Sequence, residues 1–258
     1  MAEDNLVLKA EKISKKYLNP IIGAAFSVLK EITFDLRRGE VLTLLGPSGS
    51  GKTTLLKILA GIEKPDEGSV QFAQYPEPKV NSAFIPREAS SLPWLNVLED
   101  VRLGLGAEEG KDKDSAEKIK NLIEEVGLDG YENHIPAGKS TGFRFRIALA
   151  RAMASRPKVI LIDSPLGNLL PERKIAYYRV VREVLSKGDF SIIWSTSDIT
   201  EALLVSDRIL LLNAKSGGLK EFQLENIGIP EIASLKSEAL SGIRSSIEIS
   251  LYSASPIQ

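Results

Sequence analysis

The chain has 258 residues, of which 33 are basic and 34 acidic, and a formal net charge of −1. It contains no cysteine and a single histidine, His134. This composition excludes disulfides, thiolate metal sites and a cysteine nucleophile, and it leaves His134 as the one imidazole for acid–base chemistry. A near-zero charge gives no general attraction to nucleic acid. The longest uncharged stretch, 17–29, is shorter than the roughly 18–20 apolar residues of a membrane span, so we expect no direct membrane insertion.

The first half of the chain predicts strands on both sides of a glycine-rich loop. Apolar and polar residues alternate over 6–10 and 32–36, which is typical of half-buried strands. Residues 41–45 form a short apolar run before the glycines, and 83–85 predict another strand. A helix is predicted after the loop and ends at 64–68, which reads KPDEG. Its apolar positions are Leu55, Leu56, Ile58, Leu59 and Ile62.

The second half predicts helices between buried strands. Residues 87–136 are predicted to be mostly helical, with helical spacing over 116–126 and a solvated loop at the charged run 108–114. A further helix is predicted over 142–155, and an amphipathic one over 232–249 before a loose tail. Strands are predicted at 159–162, 190–194 and, as the last, 209–212. Apolar strands separated by helices predict an α/β fold with a largely parallel sheet.

Residues 46–54, which read GPSGSGKTT, match the phosphate-loop pattern in full, between an apolar strand and a helix. Glycines let the backbone wrap a phosphate, and the helix N-terminus adds partial positive charge. Lys52 would neutralise the β- and γ-phosphates, and the Thr53 hydroxyl would bind Mg²⁺ with Asp163 as the second partner of the ion. The predicted nucleotide-binding residues of this loop are Gly46, Ser48, Gly49, Ser50, Gly51, Lys52, Thr53 and Thr54.

Other segments follow in an order that is typical of one family: the stretch 92–101, the helix 146–152, the strand end 163–167 and the pair 201–203 and 207–208. With these segments, residues 5–215 resemble the ATP-binding subunit of an ABC transporter, in particular the importers of nitrate, sulfonates and taurine. The resemblance implies ATP and Mg²⁺ as cofactors and an adenine that stacks on Tyr17. It also implies an α/β ABC-type nucleotide-binding domain, with a phosphate-loop parallel-sheet core, an antiparallel β subdomain and an α-helical subdomain.

The same resemblance predicts how the chain is divided and what it assembles with. Residues 1–86 and 156–218 would form the nucleotide-binding core with the β subdomain, 87–155 the helical subdomain with the signature motif, and 219–258 a C-terminal extension. The family works as a dimer, in which Ser140, Thr141 and Gly142 of the signature would face the partner's nucleotide. The expected partners are a second ABC ATP-binding subunit, identical or different, and multi-span permease subunits. The expected location is cytoplasmic, on the inner face of the cell membrane.

The sequence departs from the family pattern at positions that the family uses for ATP hydrolysis. Ser164 stands where the family has the glutamate that polarises the attacking water, and Ser197 stands where it has the switch histidine. Serine cannot take up a proton at neutral pH, and a positioned base contributes on the order of 10²–10⁴ in rate. Arg87 replaces the glutamine of the magnesium loop and cannot bind a metal; contact with a phosphate and a surface ion pair both stay open for it.

Two more departures lie in the signature segment and after the predicted magnesium-binding strand end. The signature segment 139–143 reads KSTGF, so Thr141 places a β-branched side chain where the family has glycine. Leu170 stands where the family usually has an aspartate. The expected protein binds Mg-ATP and hydrolyses it poorly or not at all. We therefore expect an asymmetric heterodimer in which an intact partner subunit carries the turnover.

Three other functions compete with this interpretation. The chain could be a non-hydrolysing nucleotide-binding scaffold or regulatory ABC protein that is not engaged in transport. It could act on nucleic acid or ribosomes, which the single nucleotide domain and the neutral charge disfavour. It could also be an active hydrolase with a substitute carboxylate, for which Glu88 is the candidate.

Overall fold

A computed structural model describes residues 5–18, 23–73, 80–88, 91–106, 113–167, 169–213, 219–224 and 238–252. The chain divides into two compact units. The first unit comprises 1–74 and 193–258, and the second comprises 75–192.

The first unit contains a long antiparallel hairpin, formed by β1 (Leu6–Leu18) and β2 (Ala25–Arg37). A third strand, β4 (Glu67–Phe72), pairs antiparallel with β1, and the strand order is β2-β1-β4. The predicted strands 6–10 and 32–36 are confirmed, and each is longer than expected. Irregular register interrupts the apolar alternation, which explains why the pattern shows only part of each strand.

The other strands of the first unit follow the order β7-β3-β8-β9. Strand β3 (Val41–Leu45) pairs parallel with β8 (Arg208–Leu212), and all residues of both are buried, which confirms two predicted strands. Strand β7 (Ser191–Thr196) begins in the second unit and ends in the first. Strand β9 (Leu219–Gln223) pairs antiparallel with β8, so the prediction that 209–212 is the last strand is wrong. Its mixed, half-exposed residues carry little apolar signal.

Three helices accompany these strands in the described part of the first unit: α1 (Lys52–Leu59), α6 (Ile199–Val205) and α7 (Glu238–Tyr252). Helix α1 ends before Ile62, whose side chain is 61% exposed, so its predicted place on the apolar helix face is wrong. Helix α7 covers a core cluster through Ile247, which is fully buried. The predicted amphipathic helix 232–249 is confirmed over the described residues Glu238–Tyr252, and its first part, 232–237, lies outside them.

The second unit pairs β5 (Val80–Ile85) with β6 (Pro157–Asp163) in parallel. Its described helices are α2 (Val97–Arg102), α3 (Lys113–Glu125), α4 (Thr141–Ala154) and α5 (Pro171–Lys187), with a 3₁₀ turn at Leu103–Leu105. The predicted helices over 116–126 and 142–155 are confirmed. The prediction of mostly helix over 87–136 is wrong for 91–96 and for 126–136, which form turns and loop. Of the charged run 108–114, residues 108–112 lie outside the described residues, and the rest begins α3.

A buried ion pair connects α2 to α4 in the second unit. Asp100 is fully buried, and one of its oxygens accepts a hydrogen bond from Arg151 Nη1 at 2.7 Å. Its other oxygen accepts from the Leu92 backbone N–H at 2.7 Å. The carboxylate therefore fixes the segment before α2 to the helix that begins with the signature residues.

The predicted fold class is confirmed as α/β, with a parallel sheet, an antiparallel β subdomain and helices. Among the helices of the described ranges, none combines the length and apolarity that crossing a bilayer requires.

Candidate functional site

The predicted phosphate loop joins β3 to α1, with Lys52 as the first residue of the helix. A methyl group added at Gly46 would lie 2.7 Å from the Leu212 carbonyl oxygen, and one added at Gly51 would lie 2.9 Å from Val28 Cγ1. Gly51 also has a φ of 93°, which residues with a side chain rarely adopt. Both positions require glycine, because the loop backbone runs directly against neighbouring strands.

The remaining loop residues divide between an exposed tip and the first turn of α1. Ser48 and Gly49 are exposed at the tip, Ser50 is buried, and Thr53 and Thr54 are half-buried in the first turn of α1. No side chain caps the N-terminus of α1, and no acidic residue lies in its first turn. The positive end of the helix dipole is therefore not offset by a nearby carboxylate within this turn.

Lys52 turns back into its own loop. Its Nζ donates to the carbonyl oxygens of Gly46 at 2.7 Å and Pro47 at 2.8 Å, and it lies 3.5 Å from Ser50 Oγ. The residue is only 5% exposed. The Lys52 ammonium group is thus held by carbonyl oxygens of its own loop. Phosphate oxygens could replace these carbonyls as its hydrogen-bond acceptors.

Tyr17 lies next to this loop in the first unit. Its hydroxyl donates to Glu63, and the Thr54 hydroxyl hydrogen-bonds the same phenol. Burial and then the hydrogen bond to Glu63 raise the pKa of Tyr17 above its ordinary value. The Phe26 ring centroid lies 6.2 Å from that of Tyr17, and Lys15 Nζ lies 5.7 Å from the Tyr17 ring. The structure therefore brings the predicted adenine-stacking ring and the phosphate loop together.

Ser197 follows β7, at a point that the loop also contacts. The Gly46 N–H donates to the Thr196 carbonyl oxygen at 3.3 Å. Glu201 is 3% exposed and accepts hydrogen bonds from Thr196 Oγ1 at 2.9 Å and Trp194 Nε1 at 3.0 Å. Hydrogen bonds from two residues of β7 to this buried carboxylate therefore hold the end of the strand in place. Ser197, which is exposed, follows directly after that end and lies beside the loop.

Asp163 and Ser164 belong to the second unit. Asp163 ends β6, whose seven residues are all buried, and it is 3% exposed itself. Ser164 is half-buried and has a φ of 45°, a left-handed conformation that costs energy in a residue with a side chain. Thr53 lies in the first unit, so its predicted sharing of Mg²⁺ with Asp163 stays a prediction.

The signature residues form the beginning of α4 in the second unit. Ser140 is the N-cap, and its Oγ accepts from the Phe143 N–H at 3.2 Å. Thr141 is half-buried in the first helical position, and Gly142 is buried. A methyl group added at Gly142 would lie 1.9 Å from the Tyr177 hydroxyl oxygen, so α5 approaches this glycine closely.

Aromatic contacts hold the same helix end. The Phe143 ring lies edge-on to Tyr131 with centroids 5.5 Å apart, and Lys139 Nζ lies 5.8 Å from the Phe143 ring. The Arg146 guanidinium lies 5.2 Å from the Tyr177 ring. Phe143, at the glutamine position of the family signature, is thus packed within its own unit.

The other singled-out residues are exposed. Arg87 and Glu88 follow β5 with exposed side chains, and both interpretations of Arg87 remain open. His134 is an exposed loop residue whose ring centroid lies 4.9 Å from that of Tyr131, with the two planes tilted by 52°. Leu170 is 62% exposed at the N-cap position of α5, where it provides no side-chain cap.

Several contacts around these residues are absent from the sequence interpretation. No short sequence motif relates the residues that make these contacts. The contacts are those of Tyr177 with Gly142, of Phe26 with Tyr17, and of Glu201 with Thr196. Only Glu201 carried a signal, since it lies in a segment that resembles the family.

Comparisons with a family model and with known proteins point to the same family. The ABC transporter family model matches residues 29–167, which is more than half of the chain. An aliphatic sulfonates import ATP-binding protein of Bacillus cereus is 35% identical over 234 residues, covering 90% of this chain and 91% of that protein. A sulfate/thiosulfate import ATP-binding protein of Bacillus cereus is 36% identical over 233 residues. That match covers 87% of this chain but only 62% of the relative's length.

Solved structures agree with these relatives. A dimeric ATP-binding cassette, determined in a post-hydrolysis state with ADP and phosphate, is 26% identical with a TM-score of 0.71. That alignment covers 85% of this chain and all of the cassette. An inward-facing metal-chelate type ABC transporter is 25% identical with a TM-score of 0.72, covering 86% of this chain and 85% of that one. The matched family model, the relatives and the fold together show that this chain belongs to the ABC transporter family as an ATP-binding domain.

Proposed function

We propose that this chain is the ATP-binding subunit of an ABC importer and binds Mg-ATP at the loop 46–54. The observation that carries the proposal is the loop itself, with the Lys52 ammonium under its carbonyls and an uncapped helix N-terminus. Tyr17, hydrogen-bonded to Thr54, would stack on the adenine while the loop holds the phosphates. The names of the relatives, which are import ATP-binding proteins, support import as the direction.

The residues present fit a magnesium ion. Mg²⁺ prefers oxygen ligands and is usually held by one or two protein oxygens together with substrate phosphates. Thr53 supplies a hydroxyl in the first turn of α1, and Asp163 supplies a buried carboxylate at a strand end. Thr53 and Asp163 would hold the ion, which would offset the charge of the β- and γ-phosphates.

Hydrolysis by this chain is proposed to be weak or absent. A water attacking the γ-phosphate needs a group that orients it and takes up a proton. Ser164 and Ser197 offer hydroxyl groups at the two positions where the family has glutamate and histidine, and hydroxyls are poor bases at neutral pH. The arrangement therefore favours ground-state binding over turnover.

We also propose an asymmetric heterodimer with a catalytically intact ATP-binding subunit. Ser140, Thr141 and Gly142 would face the partner's nucleotide, although Ser140 Oγ already caps α4 and Gly142 is covered by Tyr177. Multi-span permease subunits would place the assembly on the cytoplasmic face of the membrane. The alternative is a nucleotide-binding scaffold or regulator without transport, which would bind ATP but no permease.

Nucleotide binding is tested on the purified chain with ATP and Mg²⁺ by calorimetry. Lys52→Ala should abolish or strongly weaken binding, because the phosphates lose their main cation. Lys57→Ala, in the last turn of the same helix, is the matched control and should bind like the parent chain. Equal affinity of the Lys52→Ala variant and the parent chain would contradict the proposed site.

Turnover and partners need a second experiment. The tagged chain should copurify from membranes with a permease and a second ATP-binding subunit, and the complex should hydrolyse ATP. In that complex, Lys52→Ala should leave part of the activity, because the partner's loop is unchanged. Robust hydrolysis by the isolated chain that Lys52→Ala removes would refute weak catalysis, and stable purification without a permease would favour the scaffold.

A further inference from the structure

A large aromatic side chain beside the phosphate loop is left open to solvent. Phe26 is 51% exposed and is the cross-strand partner of Tyr17 in the β1–β2 hairpin. The two ring centroids are 6.2 Å apart and the planes are tilted by 36°. Exposing half of a phenyl ring is unfavourable relative to burying it, unless something else covers the ring.

Tyr17 is held in place at its hydroxyl end. Glu63 and Thr54 both hydrogen-bond the phenol, and Lys15 Nζ lies 5.7 Å from the ring centroid. These contacts hold the Tyr17 ring beside Phe26. The pair therefore forms an aromatic surface that is joined to the first turn of α1 through Thr54.

Strand β2 also contacts the loop directly, close to Phe26. Val28 lies where the hairpin register shifts, between the pairs Lys15–Leu29 and Lys16–Ser27. A methyl group at Gly51 would lie 2.9 Å from Val28 Cγ1 and 3.1 Å from the Val28 carbonyl oxygen. Such irregularities commonly re-aim side chains, and here one brings β2 against the loop two residues after Phe26.

We propose that Phe26 is a second aromatic contact for the base of the nucleotide, in addition to Tyr17. The inference rests on the proposed function, since it assumes that the loop holds the phosphates. A flat purine bound near Tyr17 would cover the exposed Phe26 ring and gain stacking on it. Because every base has a π-face, this contact raises affinity for purine nucleotides without choosing between adenine and guanine.

The test compares two ligands that share phosphates but not a base. ATP and inorganic tripolyphosphate are titrated into the parent chain and into Phe26→Ala, with magnesium present. Phe26→Ala should weaken ATP binding about fivefold or more, which corresponds to the loss of one stacking contact. Tripolyphosphate affinity should stay the same, and Phe26→Trp should restore ATP binding. Leu18→Ala is the matched control, since Leu18 is 74% exposed next to Tyr17 on the hairpin and should change neither affinity.

Other outcomes overturn the inference or its basis. Unchanged ATP affinity in Phe26→Ala, with Lys52→Ala weakening both ligands, would overturn the base contact and leave the proposed function intact. An equal loss for ATP and tripolyphosphate would also overturn it, because Phe26 would then act on the loop. A parent chain that binds neither ligand would refute the proposed function itself.

Discussion

Whether alanine at position 142 raises or lowers the free energy of unfolding depends on one neighbouring side chain, that of Tyr177. Alanine at this position would place its methyl carbon 1.9 Å from the Tyr177 hydroxyl oxygen and 2.1 Å from Tyr177 Cζ. Those distances are far below a van der Waals contact, so the ring or the helix must move. The ring is also packed, because Phe145 lies edge-on at 6.3 Å and Arg146 lies over it at 5.2 Å.

Two opposing effects set the magnitude. In a helix, alanine is favoured over glycine by about 0.5–1 kcal/mol. Forcing extra volume into a packed contact costs about 1–3 kcal/mol, and displacing the Tyr177 ring forfeits aromatic and cation–π contacts of about 0.5–1 kcal/mol each. We therefore expect Gly142→Ala to lower the free energy of unfolding by about 2 kcal/mol. For a chain of this length that corresponds to a fall in Tm of about 4–8 °C.

The assay is thermal and urea unfolding of four proteins: the parent chain, Gly142→Ala, Tyr177→Ala and the double variant. In the Tyr177→Ala background the overlap is absent, so Gly142→Ala should stabilise the protein by about 0.5–1 kcal/mol through helix propensity alone. Stabilisation by Gly142→Ala in the parent chain, or the same loss in both backgrounds, would refute close packing as the reason for this glycine.

Three further predictions follow from buried, strained and charged groups. Asp100→Ala should lower the free energy of unfolding in urea by about 3 kcal/mol, because it removes the buried carboxylate that offsets the Arg151 guanidinium; a loss below about 1 kcal/mol would contradict the ion pair's burial. Ser164→Gly should raise Tm, since glycine adopts the φ of 45° without the roughly 1–2 kcal/mol that other residues lose there; an unchanged or lower Tm would argue against strain. The Lys16 backbone N–H and then the Lys15 ammonium lower the pKa of Asp66, so its stabilisation is present above the ordinary value of 3.8 and is lost as the pH falls through the lowered pKa. Asp66→Asn should therefore flatten the acid limb of stability against pH, and an unchanged acid limb would contradict that linkage.

The loop 46–54 could be predicted from the sequence because its glycines encode backbone conformations. Gly51 has a positive φ and no room for a side chain, so this position requires glycine, and the amino-acid sequence alone shows it. The buried strands β3 and β8 could also be predicted, since all residues but one in each are apolar. The contact between Gly142 and Tyr177 joins residues 35 positions apart, and nothing in either segment relates them.

Other features escaped prediction for different physical reasons. Strand β9 is stabilised by pairing with β8 rather than by an apolar run, so its residues look like a loop. Ile62 fits the helical spacing of α1, but the helix stops at Leu59 and leaves the side chain exposed. Whether Phe26 contacts a base depends on a cross-strand pairing that only the hairpin register reveals.

The placement of Lys52 has a consequence for the order of the loop 46–54. A buried ammonium without acceptors would be costly, and the Gly46 and Pro47 carbonyls remove that cost by acting as a built-in substitute for phosphate oxygens. The same side chain that is proposed to bind phosphate therefore links the two ends of the loop. Under the proposed function, binding would exchange these acceptors for phosphate oxygens around a cation already in position, so little of the binding free energy would be spent on ordering the site.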